Sequence, residues 1–105
     1  MIRARFLTRG GALCGFRIRG HAELDAAGRD ILCAAVSSAA ILAANTLTEE
    51  LGIRALVRER DGYLLVWVVR EDRERSRAVL AALCRHLNGL FEAYPTYLQV
   101  ETTEV

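Results

Sequence analysis

The chain opens on an alternation in which Ile2, Ala4, Phe6 and Thr8 fall on one side of an extended segment and Arg3, Arg5 and Arg9 on the other. A period of two is the signature of a half-buried strand. Arg9-Gly10-Gly11 turns the chain. Cys14, Phe16 and Ile18 then set the inner face of a second strand with Arg17 and Arg19 outward, which predicts an antiparallel hairpin. Residues 20–30 break the pattern between Gly20 and Gly28, whose backbone freedom suits a mobile loop.

From Ile31 to Leu51 the chain is rich in Ala and Leu, lacks Gly and Pro, and closes at Gly52, a good left-handed helix terminator. A helix with Asp30 as its N-cap is predicted. Its alanines, among them Ala35, Ala39 and Ala43, leave it thin enough to lie close to a sheet, mostly buried.

Ile53–Arg60 and Tyr63–Arg70 flank Asp61-Gly62, a strong hairpin signal. The strand from Tyr63 to Val69 is apolar on both faces, as expected when helices cover one side and something else, such as another subunit, covers the second. Val79, Leu80, Leu83, Leu87, Leu90, Phe91 and Tyr94 recur at helical spacing within residues 72–94, and Pro95 stops the run. With a last strand at residues 97–103 the order is β-β-α-β-β-α-β. The expected fold is α+β, a single domain over residues 1–105 with a mainly antiparallel sheet packed against two helices.

The 105 residues suffice for one hydrophobic core and not for two. Fourteen basic and thirteen acidic residues leave a net charge of +1, so the overall field supplies no long-range attraction to nucleic acid, and no direct nucleic-acid partner is expected. All fourteen cations are Arg. No uninterrupted apolar run reaches the roughly 18–20 residues of a spanning helix, and the opening residues are not a signal sequence, so a cytoplasmic protein without a membrane partner is expected. Three cysteines, at 14, 33 and 84, form neither a disulfide framework nor a zinc ribbon, and no metal or cofactor is expected.

The chemistry-bearing segment runs from Gly20-His21 to Ser37. With Asp30 as cap, Cys33 lies in the first helical turn, where unpaired N–H groups and the macrodipole favour a thiolate. His21, twelve residues earlier across a loop, can serve as general base and then acid. Ser37 is four residues beyond Cys33 on the same helical face. The plainer alternative stays open, since a cysteine in an Ala-rich helix is more often a small buried hydrophobe and a loop histidine a solvated side chain. Cys14 and Cys84 read as core, His86 as surface, Glu23 and Asp25 as solvated loop charges, and Glu71–Arg75 as the exposed start of a helix.

Gly20-His21-Ala22, the run Gly28-Arg29-Asp30-Ile31-Leu32-Cys33-Ala34-Ala35-Val36-Ser37, Asn45-Thr46-Leu47 and Tyr94–Val100 closely resemble the ribosomal-processing cysteine protease family, Prp. The resemblance spans essentially the whole chain. It implies a small homodimeric α+β endopeptidase that removes the N-terminal extension of large-subunit ribosomal protein twenty-seven, cutting after paired phenylalanines. Carried over by residue, it implies Cys33 as nucleophile, His21 as general base, Asp30 and Ser37 in support, and Gly20 and Gly28 bordering a mobile loop. Leu24-Asp25 departs from the aromatic-containing stretch common in the family, and Arg29 stands where an acid is common. A rival expectation is a non-catalytic, ribosome-associated dimeric binding module.

Overall fold

The computed structural model describes residues 1–21 and 26–105, with the backbone alone for residues 26–30. The chain folds as β1 (Ile2–Arg9), β2 (Ala12–Gly20), α1 (Ala26–Asn45), a π-helical turn (Thr46–Glu50), β3 (Ala55–Arg60), β4 (Tyr63–Val68), a 3-10 turn (Arg70–Asp72), α2 (Arg73–Ala93) and β5 (Leu98–Glu104). The predicted element order holds.

One five-stranded sheet runs β3-β4-β2-β1-β5. Every pairing is antiparallel except β1 with β5, which is parallel because α2 carries the chain back across the sheet. The inner face presents Ile2, Ala4, Phe6, Phe16, Ile18, Val66, Val68 and Leu98 to Leu32, Val36 and Ala40 of α1 and to Leu80, Leu83 and Leu87 of α2. Phe6 and Phe16, both fully buried, meet at 6.0 Å between ring centroids. Burial of each such side chain contributes about 1.5–3 kcal/mol, so the two inward stripes read from the alternation are what hold sheet and helices together.

A register shift between Leu7 and Thr8 leaves Cys14 opposite no β1 residue. The extra residue brings Thr8 onto the Glu104 carboxylate (Oγ1 to Oε1, 2.8 Å), which also accepts the Gly10 and Gly11 N–H groups at 2.6 and 3.2 Å. The Thr8 hydroxyl, more than the two amides, holds the Glu104 carboxyl below its ordinary range. One acid at the end of β5 thereby closes the first hairpin.

Helix α1 departs from expectation in three ways. It begins at Ala26, so Asp30 is an internal helical residue and not the N-cap, and Gly28 lies within the helix instead of bordering a loop. Ala26-Ala27 are good helix formers, and the helix starts five residues before the expected Ile31. At its far end it passes into the π-helical turn, where the Thr46 and Thr48 hydroxyls donate to the carbonyls of Leu42 (2.7 Å) and Ala44 (3.1 Å) and loosen the regular ladder. Gly52, at φ +61°, completes the reversal. Nor is α1 mostly buried. Leu32, Val36, Ala40 and Ala43 are in the core, while Ile31, Ile41 and Leu42 face outward at 64, 43 and 69% exposure. The stretch Ile31–Glu50 is long and apolar enough in composition to cross a membrane, although its inner stripe is spent on the domain core.

Asp72, expected in an exposed helix start, is buried. Its carboxylate accepts the Arg54 amide at 2.9 Å and the Arg54 Nε at 3.3 Å, which ties the segment before β3 to the start of α2. The backbone bond from Arg54, then its side chain, pull the Asp72 carboxyl below its ordinary 3.8. A carboxyl that titrates lower in the folded chain adds stability above the unfolded value, and this is lost as pH falls through 3.8 and below. Asp72→Ala should therefore unfold at lower urea than the parent at pH 7, with the gap closing as the pH is taken below 3.8. A gap that stays constant down to the acid limb would deny the charge this role.

Candidate functional site

The site sits where the ends of β1 and β2, the first half of α1 and the β3–β4 hairpin converge. Its floor is apolar, from Ile2, Ile18, Val36, Ala40 and Leu64, and its rim carries His21, Cys33, Ser37, Glu59, Asp61 and Tyr63 around a cleft of about 220 Å³.

His21 is placed by its backbone. Gly20 ends β2 at φ +99°, and its N–H donates to the Gly62 carbonyl at 2.9 Å. A Cβ at Gly20 would stand 2.2 Å from the Met1 carbonyl oxygen, so no other residue fits there without moving β1. The Met1 nitrogen donates to the His21 carbonyl at 2.5 Å. Between these anchors the imidazole is exposed and rests against Gly62, where a Cβ would come within 2.7 Å of Nε2. Gly62 thus matters twice, for the left-handed turn at φ +70° and because a Cβ there would displace the exposed ring from its place.

Cys33, next to buried Leu32 on α1, is half-buried against the core and lines the cleft, with Ser37 exposed one turn further on. Since α1 starts at Ala26, Cys33 lies in the second turn or beyond, and the first-turn amides and macrodipole expected to stabilise its thiolate are too far away. The cleft brings to its rim, beside Cys33, the His21 imidazole and the Glu59 and Asp61 carboxylates.

The other thiols lie elsewhere. Cys14 is fully buried and its Sγ donates to the Leu7 carbonyl at 3.4 Å, and burial pushes its pKa up despite nearby Arg73 and Arg9. Burial also raises that of Cys84, with the Asn88 amide acting weakly in the other direction. Both therefore stay protonated, as core cysteines do.

Of the residues singled out in the sequence, Gly20, His21, Cys33 and Ser37 all line this one cleft. Leu24 and Asp25 lie outside the described residues, as does the side chain of Asp30. The hairpin wall of Glu59, Arg60, Asp61, Tyr63 and Leu64 was not anticipated. Asp61-Gly62 signalled a turn, but only the pairing of β4 with β2, with Tyr63 opposite Arg19, brings that turn beside His21.

A thiol and an imidazole opening on one cleft of a small α+β domain are the makeup of a thiol-dependent hydrolase. The chain belongs to the cysteine protease Prp family, whose model matches residues 1–99. No curated protein matches it. Among solved structures, the essential ribosomal processing protease Prp from S. aureus in complex with a covalently linked product peptide has a TM-score of 0.87 at 20% identity, covering 98% of this chain and 100% of that one. The S. aureus protease with a substrate peptide gives 0.86 at 19% identity, with 98% and 100% covered. SMU.848 from Streptococcus mutans gives 0.81 at 26% identity, with 100% and 96% covered. The chain is therefore a cysteine protease by family, with the Prp fold.

Proposed function

We propose that this protease removes the N-terminal extension of large-subunit ribosomal protein twenty-seven in the cytoplasm, with Cys33 as nucleophile and His21 as general base and acid. The observation that carries this reading is the opening of both side chains, from separate elements, onto one apolar-floored cleft. His21 takes the thiol proton and the Cys33 sulfur attacks the scissile carbonyl carbon. The tetrahedral intermediate collapses with breakage of the C–N bond as the imidazolium protonates the departing amine. Water, deprotonated by the same imidazole, then attacks the thioester, and the acid product leaves as the thiol reforms. Ser37 stands where its hydroxyl can bond the thiolate or the substrate, and the apolar floor suits the phenylalanines before the cut. The peptide complexes of the S. aureus protease support a peptide ligand for this fold.

Iodoacetamide alkylation followed from pH 5 to 9 with mass-spectrometric site assignment tests the dyad. Cys33 should label fastest near neutrality, with its apparent pKa displaced by His21→Ala, while Cys14 and Cys84 stay slow. Equal rates at all three thiols, with and without a peptide bearing the Phe-Phe motif, would favour a non-catalytic binding module.

The same reading takes the chain as a homodimer. The face assigned to the second copy is the outside of α1, where Leu42 borders an apolar groove shared with Val79 and Ala82 of α2. Sedimentation should give a dimer that Leu42→Glu dissociates, and a parent that sediments as a monomer at micromolar concentration would refute it.

A further inference from the structure

The sheet face turned away from the helices carries two parallel rows of cations. Cross-strand register places Arg58, Leu65, Arg17, Arg5 and Glu101 side by side in one row and Arg60, Tyr63, Arg19, Arg3 and Gln99 in the next. The two rows thus hold six guanidinium groups and a single carboxylate, Glu101, which Arg5 engages at 2.8 Å. Arg3, Arg17 and Arg19 meet no carboxylate among the described residues. Arg3 stands directly opposite Arg19 and Arg5 directly opposite Arg17, an arrangement of like charges that destabilises a sheet when left alone.

The aromatic side chains of the face are already covered by cations. Arg60 lies over Tyr63 at 4.7 Å, and Arg9 and Arg73 lie over Trp67 at 5.5 and 5.3 Å. Their rings are engaged, so the face offers charge and not open platforms for bases. The near-zero net charge of the chain is an average that the fold undoes by sorting cations onto one surface.

We propose that this face binds the phosphodiester backbone of RNA without sequence preference. Rows about 7 Å apart, each about 19 Å long across five strands, form a lattice suited to a polymer with regularly spaced anions. Arginine's fork pairs with phosphate oxygens, and each pairing relieves the repulsion between opposed guanidinium groups. The choice of RNA among polyanions rests on the proposed ribosomal substrate, which is met in an RNA-rich assembly.

The test is fluorescence anisotropy of a labelled oligouridine of about 20 nucleotides, titrated over a series of salt concentrations with the Cys33→Ala chain and no peptide. Affinity should fall linearly in log–log form with salt. The triple variant Arg3→Ala, Arg17→Ala, Arg19→Ala should bind at least about tenfold more weakly, with a slope shallower by about 2. The corresponding triple Lys variant should keep most of the binding, because phosphate also accepts a point charge. The Ala variant loses the repulsion between opposed guanidinium groups together with some packing of half-buried Arg17, so circular dichroism should show it folded before its binding is read.

An unchanged affinity in the Ala variant, or no binding by the parent, would overturn the proposal. Equal or tighter binding of polyglutamate or of phosphatidylserine vesicles would assign the face to an acidic protein or a membrane instead. Dissociation of a dimer by the triple Ala variant would assign it to a second copy. Because cleavage is read on peptide without RNA, and RNA binding on a chain without its thiol, either reading can fail alone.

Discussion

Cys33→Ala should abolish cleavage of a peptide carrying two phenylalanines before the scissile bond, lowering kcat/KM by on the order of 10⁴-fold or more, with the fold retained. On the proposed mechanism the substitution removes the nucleophile and leaves only whatever binding and polarisation the cleft supplies. The side chain is half-buried at the cleft edge, so its truncation opens no core cavity. The matched control is Cys14→Ala. That thiol is fully buried beside the Leu7 carbonyl on the β1–β2 pair, so its loss costs on the order of 1 kcal/mol of packing and leaves cleavage per folded molecule nearly unchanged. Circular dichroism and initial rates read both outcomes. A folded Cys14→Ala as inactive as Cys33→Ala would move the nucleophile to Cys14.

Gly62→Ala should be the second most damaging change for activity, although Gly62 carries no functional group. The new methyl would meet His21 Nε2 at 2.7 Å, so the imidazole must swing from its place against the hairpin. It also puts a Cβ on a backbone at φ +70°, which costs roughly 1–2 kcal/mol. Gly52 separates the two effects, because it has nearly the same φ, +61°, and nothing within 4 Å of a built Cβ. Gly52→Ala and Gly62→Ala should lose similar stability. Only Gly62→Ala should lose cleavage, by about 10- to 100-fold, because a displacement near 1 Å of a reacting group has effects of that order. Equal rates for the two variants would mean that the hairpin does not position His21.

The alternation in residues 2–18 made the first hairpin and its inward stripe legible, and Asp61-Gly62 did the same for the second. The periodicity of α2 gave that helix to within a residue or two of its ends, with Pro95 as its stop. What misled was chemistry that two structures share. Asp before an apolar run caps helices, yet it also sits inside them. Helix α1 begins five residues further back, at Ala26, and the first-turn environment inferred for Cys33 went with it. Asp72 was unreadable for a different reason. Its partner, Arg54, lies eighteen residues away and the pairing exists only once β3 and α2 are packed.

That Cys33 and His21 would line one cleft was legible because both sit near a glycine-flanked segment. The third wall of that cleft depends on β4 choosing β2 as its neighbour, a long-range decision that no local pattern encodes. The doubly apolar β4 illustrates the same limit. Its inner residues Val66 and Val68 are core, while outward Tyr63 and Trp67 are covered by the guanidinium groups of Arg60, Arg9 and Arg73.

That cover has an optical consequence. Trp67 is the only tryptophan in the chain, and it lies on the far side of the sheet from the cleft with the Arg9 and Arg73 guanidinium groups over its ring. Its emission is therefore a reporter for one surface alone. A polyanion that draws Arg9 or Arg73 off the indole should alter the spectrum, while a peptide entering on the helix side should leave it unchanged, so a single chain without any attached dye would tell the two kinds of ligand apart.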